Sequence, residues 1–332
     1  MNPSWLSVFP DNIRGLLLKM PTSLFNELEE IRIREGRPLE VNAAGRHYFL
    51  TSSGEITRNP ILAFKPGKQD GNTLLDLITN HSLYTMEEEL RRGFITIAGG
   101  HRIGLAGRTV LSSGRVEHLR DISGFNVRIA REVQGIADQV LPQLLDFKQQ
   151  SVHHTLILSP PQQGKTTLIR DLARQISNGT WGHPEAKWSG LKVAVIDERS
   201  EIAGSKRGVP SFDVGARTDV MDGCPKAEGI MMMIRSMSPD VIIVDEIGRS
   251  EDAEALAEAL HAGVRVIATA HGSNVAEMAS RPALAQLFNP PFFQIYTVLN
   301  RTEKGLAFRL WDGKGRVIQT HEPGWKGGKE HA

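Results

Sequence analysis

The sequence predicts an α/β domain built on a parallel sheet, preceded by a smaller α+β domain. Three observations carry this. At 332 residues the chain is long enough for two domains of about 150 residues each. Its second half holds four short, nearly continuous apolar runs, Leu156–Leu158, Val193–Ile196, Val241–Val244 and Val264–Ala268. Such runs belong to strands covered on both faces, and helical patterns separate most of them. The first half instead alternates short β-like runs with Gly and Ser turns.

In chain order, Ile31-Arg-Ile-Arg34 has the period of two of a half-buried strand, and His47–Leu50 leads into a turn at Ser52-Ser-Gly54. Phe94–Ile97, Gly99-Gly100 and His101–Ile103 read as a hairpin. Ser82 to Arg92 reads as a helix, with Ser82 as its N-cap and Glu87, Glu88 and Glu89 on its exposed side. Ile136, Val140, Leu141, Leu144 and Leu145 recur at helical spacing. They predict a helical linker over 135–152, between a domain at 1–134 and a second at 153–320. In the second domain Ser250 is the expected N-cap of a helix whose stripe is Ala253, Leu256, Ala257 and Leu260, and Gly263 ends it. Tyr296–Leu299, Leu306–Trp311 and Val317-Ile318 read as closing antiparallel strands, with a turn at Asp312-Gly313. The Gly- and Lys-rich tail, 321–332, reads as disordered.

Charge and cysteine content narrow the function classes. With 39 Lys+Arg against 38 Asp+Glu the net charge is +1, so no overall field draws the chain onto nucleic acid or anionic lipid. Cys224 is the only cysteine, which excludes an intramolecular disulfide and a zinc cluster built from cysteines. The first 20 residues lack the continuous apolar core of a signal peptide, and no stretch approaches the roughly 18 to 20 apolar residues that span a bilayer. A cytoplasmic protein is expected, with any membrane contact peripheral.

The chemistry concentrates in the second half. Ser159-Pro160-Pro161-Gln162-Gln163-Gly164-Lys165-Thr166-Thr167 follows a buried-strand pattern and opens a helix carrying Leu168, Ile169, Leu172 and Ile176. That is the context of a phosphate-binding loop: backbone N–H groups and a helix N-terminus face the phosphates, a Lys neutralises them, and a hydroxyl holds Mg²⁺. Gly164, Lys165 and Thr166 fit, while Ser159 replaces the usual first Gly. Asp240-Val-Ile-Ile-Val-Asp245-Glu246 puts two carboxylates at the C-terminal edge of the sheet, where α/β domains bind ligands. Successive strand residues point to opposite faces, so Asp245 is assigned to the Mg²⁺ shell and Glu246 to the attacking water.

Two further strand ends reach the same edge. At one, either Asp197 or Glu198 is a candidate to hold a metal-bound or attacking water; at the other, either Thr269 or His271 is a candidate to sense the γ-phosphate. Arg32, Arg34 and Arg128 lie on the polar side of first-half strands, placed to meet a neighbouring subunit's phosphate. The nearest thing to a guanine-reading N-K-x-D motif is Asn300-Arg-Thr-Glu303, which lacks the Lys and the Asp, so ATP is the expected nucleotide.

Together Ser159–Thr167, Ile196–Ile202, Val214–Asp219, Cys224–Gly229, Arg235–Asp240, Asp245–Arg249 and Ala268–Gly272 resemble the stage III sporulation protein AA family. The likeness extends to Glu30–Arg34, Gly36–Leu39 and Asn126–Arg131, nearly the whole chain. That family is similar to the traffic ATPases of type II and type IV secretion and pilus machines. The resemblance implies a RecA-like P-loop NTPase core that hydrolyses ATP with Mg²⁺ as a hexameric ring. It also implies a channel complex between mother cell and forespore, with the membrane proteins of that complex as partners and the inner face of the mother-cell membrane as the place of work. By analogy with the traffic ATPases, Arg128 would complete a neighbour's site. Two alternatives have other signatures. A nucleic-acid-dependent RecA-like ATPase calls for a basic stripe with interleaved aromatics, absent here, so no specific nucleic acid is expected. A nucleotide-binding scaffold without turnover has no use for Glu246.

Overall fold

The computed structural model describes residues 3–79, 87–112, 114–130, 133–161, 163–205, 207–302 and 305–322. The chain divides into two compact units, residues 1–131 with 204–206, and residues 132–203 with 207–332.

In the first unit, helices α1 (Asp11–Leu18), α2 (Thr22–Asn26), α3 (Lys68–Ile78) and α4 (Glu87–Arg92) accompany an antiparallel sheet. Its strands are β1 (Leu28–Arg34), β2 (Glu40–Ala43), β3 (Arg46–Leu50), β4 (Ile56–Thr57), β5 (Phe94–Ile97), β6 (His101–Ser112) and β7 (Arg115–Arg128). They lie in the order β4-β3-β2-β1-β7-β6-β5. The period of two holds in β1: Ile31 and Ile33 enter a core with Phe9, Val41, Ile103 and Val127, while Arg32 and Arg34 stay half-buried on the other face. There Glu30 accepts from Arg32, Asn42 and Asn126 at 3.1, 2.6 and 2.6 Å. Ser82, the expected N-cap, lies outside the described residues, as do Arg131, Gln162 and 323–332.

The second unit begins with a two-stranded ribbon, β8 (Leu145–Asp146) and β9 (Ser151–Val152). Its main strands are β10 (Thr155–Ser159), β11 (Val193–Asp197), β12 (Thr218–Asp222), β13 (Val241–Val244), β14 (Arg265–His271), β15 (Ile295–Thr302), β16 (Gly305–Asp312) and β17 (Val317–His321). Between them run α5 (Lys165–Asn178), α6 (Lys226–Met237), α7 (Ser250–His261) and α8 (Val275–Ala279). The sheet order is β12-β11-β13-β14-β10-β15-β16-β17. Alternate residues of each central strand enter opposite cores. Ile157, Val193, Val195, Ile243 and Ile267 meet Leu168, Leu172 and Ile176 of α5 on one face. Leu156, Leu158, Ala194, Val244 and Ala268 meet Ile230 of α6 and Leu256 of α7 on the other. This double burial is why the strands read as unbroken apolar runs.

Three expectations are corrected. Residues 135–152 form no α-helix: Gly135 has φ +81°, and Pro142, in the 3₁₀ turn Leu141–Leu144, has no N–H to continue an α-helical ladder. Their apolar spacing serves burial instead, since Val140, Leu141, Leu144 and Leu145 join the α5 face of the core. The strand β15 is antiparallel to β16 but parallel to β10, so it belongs to the parallel part of the sheet. Ser250 is the first residue of α7 rather than its cap, because the Asp252 carboxylate accepts from the N–H groups of Gly248 and Arg249 at 3.0 and 3.1 Å. No helix among the described residues is long and apolar enough to cross a membrane.

Each unit buries a neutral histidine. His101 Nδ1 accepts from the Ala130 N–H at 3.1 Å, and His154 Nδ1 from the Val266 N–H at 3.2 Å. Burial lowers both from the usual 6.5 to about 4. Between those values the unfolded chain takes up protons that the native one refuses, so stability is fully present above about pH 6.5 and is lost as the pH falls toward 4. Lowering the pH from 7.5 to 5 is expected to cost about 2 kcal/mol per histidine. Denaturant unfolding of the parent and of His154→Gln at both pH values checks this: the pH-dependent loss should shrink in the variant.

Candidate functional site

The site is built where β10, β11, β13 and β14 end. After β10 the chain turns through Pro160 and Pro161 and enters α5 at Lys165, with Gly164 at φ +94°. Only glycine adopts that φ without strain, and a Cβ there meets nothing within 4 Å. Ser159, by contrast, is the last residue of β10 and fully buried, in a backbone conformation open to any residue. Its departure from glycine therefore carries no backbone cost. Its hydroxyl donates to the Pro160 carbonyl at 2.8 Å.

Lys165 folds back over this loop. Its ammonium donates to Ser159 O, Ser159 Oγ and Pro160 O at 3.2, 3.1 and 3.1 Å, and to His271 Nδ1 at 3.1 Å. Burial pulls its pKa below the ordinary lysine range, against the opposing pull of Asp245 and Glu246. With Nδ1 accepting, Nε2 is the nitrogen that carries a proton, and it lies 2.9 Å from Glu246 Oε1. The other Glu246 oxygen accepts from Arg199 Nη1 at 2.8 Å. Lys165, His271, Glu246 and Arg199 thus form one chain of contacts from the loop to the end of β11.

Asp245 is the centre of a second set. One oxygen accepts from Thr166 Oγ1 at 2.8 Å and the other from Thr269 Oγ1. Thr269 in turn accepts from the Glu246 N–H at 2.8 Å. The strand β13 stops at Val244, so pleating is not what separates the two acids. Glu246 adopts φ +52°, an uncommon left-handed conformation for a non-glycine residue, and this turn sends its carboxylate toward Arg199 and His271 while Asp245 faces the loop.

The alternatives left open by the sequence separate by burial. Asp197, 2% exposed, accepts from the N–H groups of Glu201, Ile202 and Ala203 at 2.8, 2.9 and 2.8 Å. Burial still pushes its carboxyl up to about 6. Its bonds are spent on the loop that follows. Glu198 lines a small pocket with Arg199, Lys226, Asp245 and Glu246 and pairs with Lys226. Thr269 is fully buried, whereas the His271 side chain is 41% exposed. Arg128, on β7 of the first unit, is 58% exposed and 3.8 Å from Glu30.

The donors present fit a nucleotide phosphate and a Mg²⁺. The Lys165 ammonium meets only oxygen and nitrogen acceptors of its own chain, which a phosphate can replace. No group of three or more His, Cys, Asp or Glu among the described residues is arranged to hold a metal. Mg²⁺ needs no such cage, since it keeps most of its waters and takes one or two protein oxygens. Thr166 Oγ1 and Asp245 Oδ2, 2.8 Å apart, match the spacing of about 3 Å between adjacent ligands of an octahedron with bonds of about 2.1 Å. The sequence offers Arg199 as one of several second-half arginines that could bring a cation to the site, but gives no sign of its pairing with Glu246 or of the place of Lys226 beside Glu198.

Comparison with solved structures identifies the fold. The Legionella pneumophila ATPase DotB superposes with a TM-score of 0.59 at 15% identity, covering 94% of this chain and 83% of that one. The pilus retraction motor PilT with bound ADP gives 0.55 at 16%, covering 86% and 79%. The second unit's strand order and these neighbours define a RecA-like fold, shared with DotB and PilT. Stage III sporulation protein AA of Bacillus subtilis (strain 168) is 46% identical over 312 residues, 94% of this chain and 95% of that protein. The family model for sporulation stage III, protein AA matches residues 5–318, and the chain belongs to that family.

Proposed function

We propose that the chain is an ATP hydrolase that works as a hexameric ring and energises a channel complex between mother cell and forespore during sporulation. The observation that carries the catalytic part is the Asp245 carboxylate shared between Thr166 of the loop helix and Thr269 of β14, with Glu246 one residue further on. The sporulating context rests on the Bacillus subtilis relative, and the motor character on the fold shared with DotB and PilT. The partners in this reading are membrane proteins of the channel complex, met at the inner face of the mother-cell membrane.

The roles follow from the chemistry of each group. Residues 159–167 form the loop around the phosphates, with the backbone N–H groups from Gln163 onward as donors since Pro160 and Pro161 have none, and Lys165 exchanges its bonds to Ser159, Pro160 and His271 for phosphate oxygens. A Mg²⁺ held by Thr166 and Asp245 would offset phosphate charge. Glu246 accepts a proton from the attacking water, and Glu198 holds that water from the neighbouring strand end. His271, released by Lys165, donates a ring N–H to the terminal phosphate. Arg128 of a neighbouring copy supplies a cation in trans.

Two variants test the catalytic part. Lys165→Ala should abolish ATP binding in calorimetry, since the main side-chain countercharge is gone. Glu246→Gln should keep ATP binding while turnover drops by roughly 10² to 10⁴; turnover at the parent rate would exclude Glu246 as the base.

Ring assembly is tested by mixing. Arg128→Ala and Lys165→Ala should each be inactive, their turnover down by about 10³. A mixture should recover part of the parent activity, because some interfaces then join an intact loop to an intact arginine. A mixture as inactive as its components refutes the trans arginine.

A further inference from the structure

We infer that Arg199 is the positioning residue for Glu246, holding its carboxylate from a loop that the fold makes rigid for this purpose. The inference rests on the reading of Glu246 as the base. Both oxygens of Glu246 are engaged, Oε1 by His271 Nε2 at 2.9 Å and Oε2 by Arg199 Nη1 at 2.8 Å. The two partners differ. His271 is shared with Lys165 at 3.1 Å, so its hold on Glu246 depends on whether the loop is occupied. Arg199 makes its hydrogen bond and ion pair to Glu246 and none to Lys165 or Asp245, so its hold can persist when the loop fills.

An arginine that is 52% exposed ordinarily contributes little to orienting a partner, because a long side chain on a mobile loop loses entropy on pairing. Here the loop is fixed from both sides of its backbone. The Asp197 carboxylate takes the N–H groups of Glu201, Ile202 and Ala203. The buried Arg170 of α5 donates to the carbonyls of Glu201, at 2.6 Å, and Ile202. Between these anchors Ser200 adopts φ +55° and donates to Asp222 at 2.6 Å. A non-glycine residue held at positive φ persists only where the surroundings over-determine it. Two buried charged side chains, Asp197 at 2% and Arg170 at 6% exposure, are thus committed to the backbone that immediately follows Arg199. Because Arg170 sits on the helix that Lys165 opens, the same helix sets both the phosphate loop and the arm that steadies Glu246.

The test is a double-variant cycle on the full chain, with ATP turnover and ATP affinity measured in parallel. Arg199→Ala should lower kcat by tenfold or more while ATP affinity stays within about twofold, and Arg199→Lys should recover part of the loss, since an ammonium still donates to the carboxylate. In the Glu246→Gln background Arg199→Ala should cause no further loss, because both changes remove one function. Parent-like kcat in Arg199→Ala, or an equal further loss in the double variant, overturns the inference and leaves the base assignment standing. Parent-like turnover in Glu246→Gln alone overturns the base assignment and this inference with it.

Discussion

Asp245 is the constraint on which the rest of the site depends. Its two oxygens accept from hydroxyls on two different elements, Thr269 on the neighbouring strand β14 and Thr166 on α5, which lies outside the sheet. Thr269 in turn receives the Glu246 N–H, so the left-handed turn at Glu246 is fixed by the group that orients Asp245. Removing either hydroxyl would leave a partly buried carboxylate with one acceptor unmatched, a loss of about 1–3 kcal/mol. The loop helix, the acid turn and the strand between them therefore hold their geometry as one hydrogen-bonded unit.

The parts of this arrangement legible in the sequence are those whose physics is local. Val241–Val244 and Leu156–Leu158 read as strands because both faces are covered, and Gly164, Lys165 and Thr166 read as the end of a phosphate-binding loop because they follow a buried strand and open a helix. The segment 135–152 misleads because helical spacing of apolar residues is also what a series of tight turns needs to bury one side, and Pro142 decides between the two. Ser159 looks like a defect only when every position of a phosphate loop is assumed to need glycine.

What the sequence withholds is pairing at a distance. Arg199 and Glu246 are 47 residues apart, and nothing in either neighbourhood specifies the other. The choice between Asp197 and Glu198 is set by which of two adjacent carboxylates turns inward to collect three N–H groups, a matter of loop geometry that charge pattern cannot express. The left-handed residues Ser200 and Glu246 belong to the same class. Their strain is offset by hydrogen bonds made to other strands, so a local reading of propensity has no reason to expect it.

The strand order has a metric consequence. With β14 interposed between β10 and β13, the backbones of these two strands lie two strand spacings apart, about 9 to 10 Å, and the side chains of Thr166 and Asp245 still meet across that interval at 2.8 Å. The intervening strand acts as a spacer between the two backbones and carries Thr269 and His271 into the interval, where Thr269 ties to Asp245 and His271 reaches both Lys165 and Glu246.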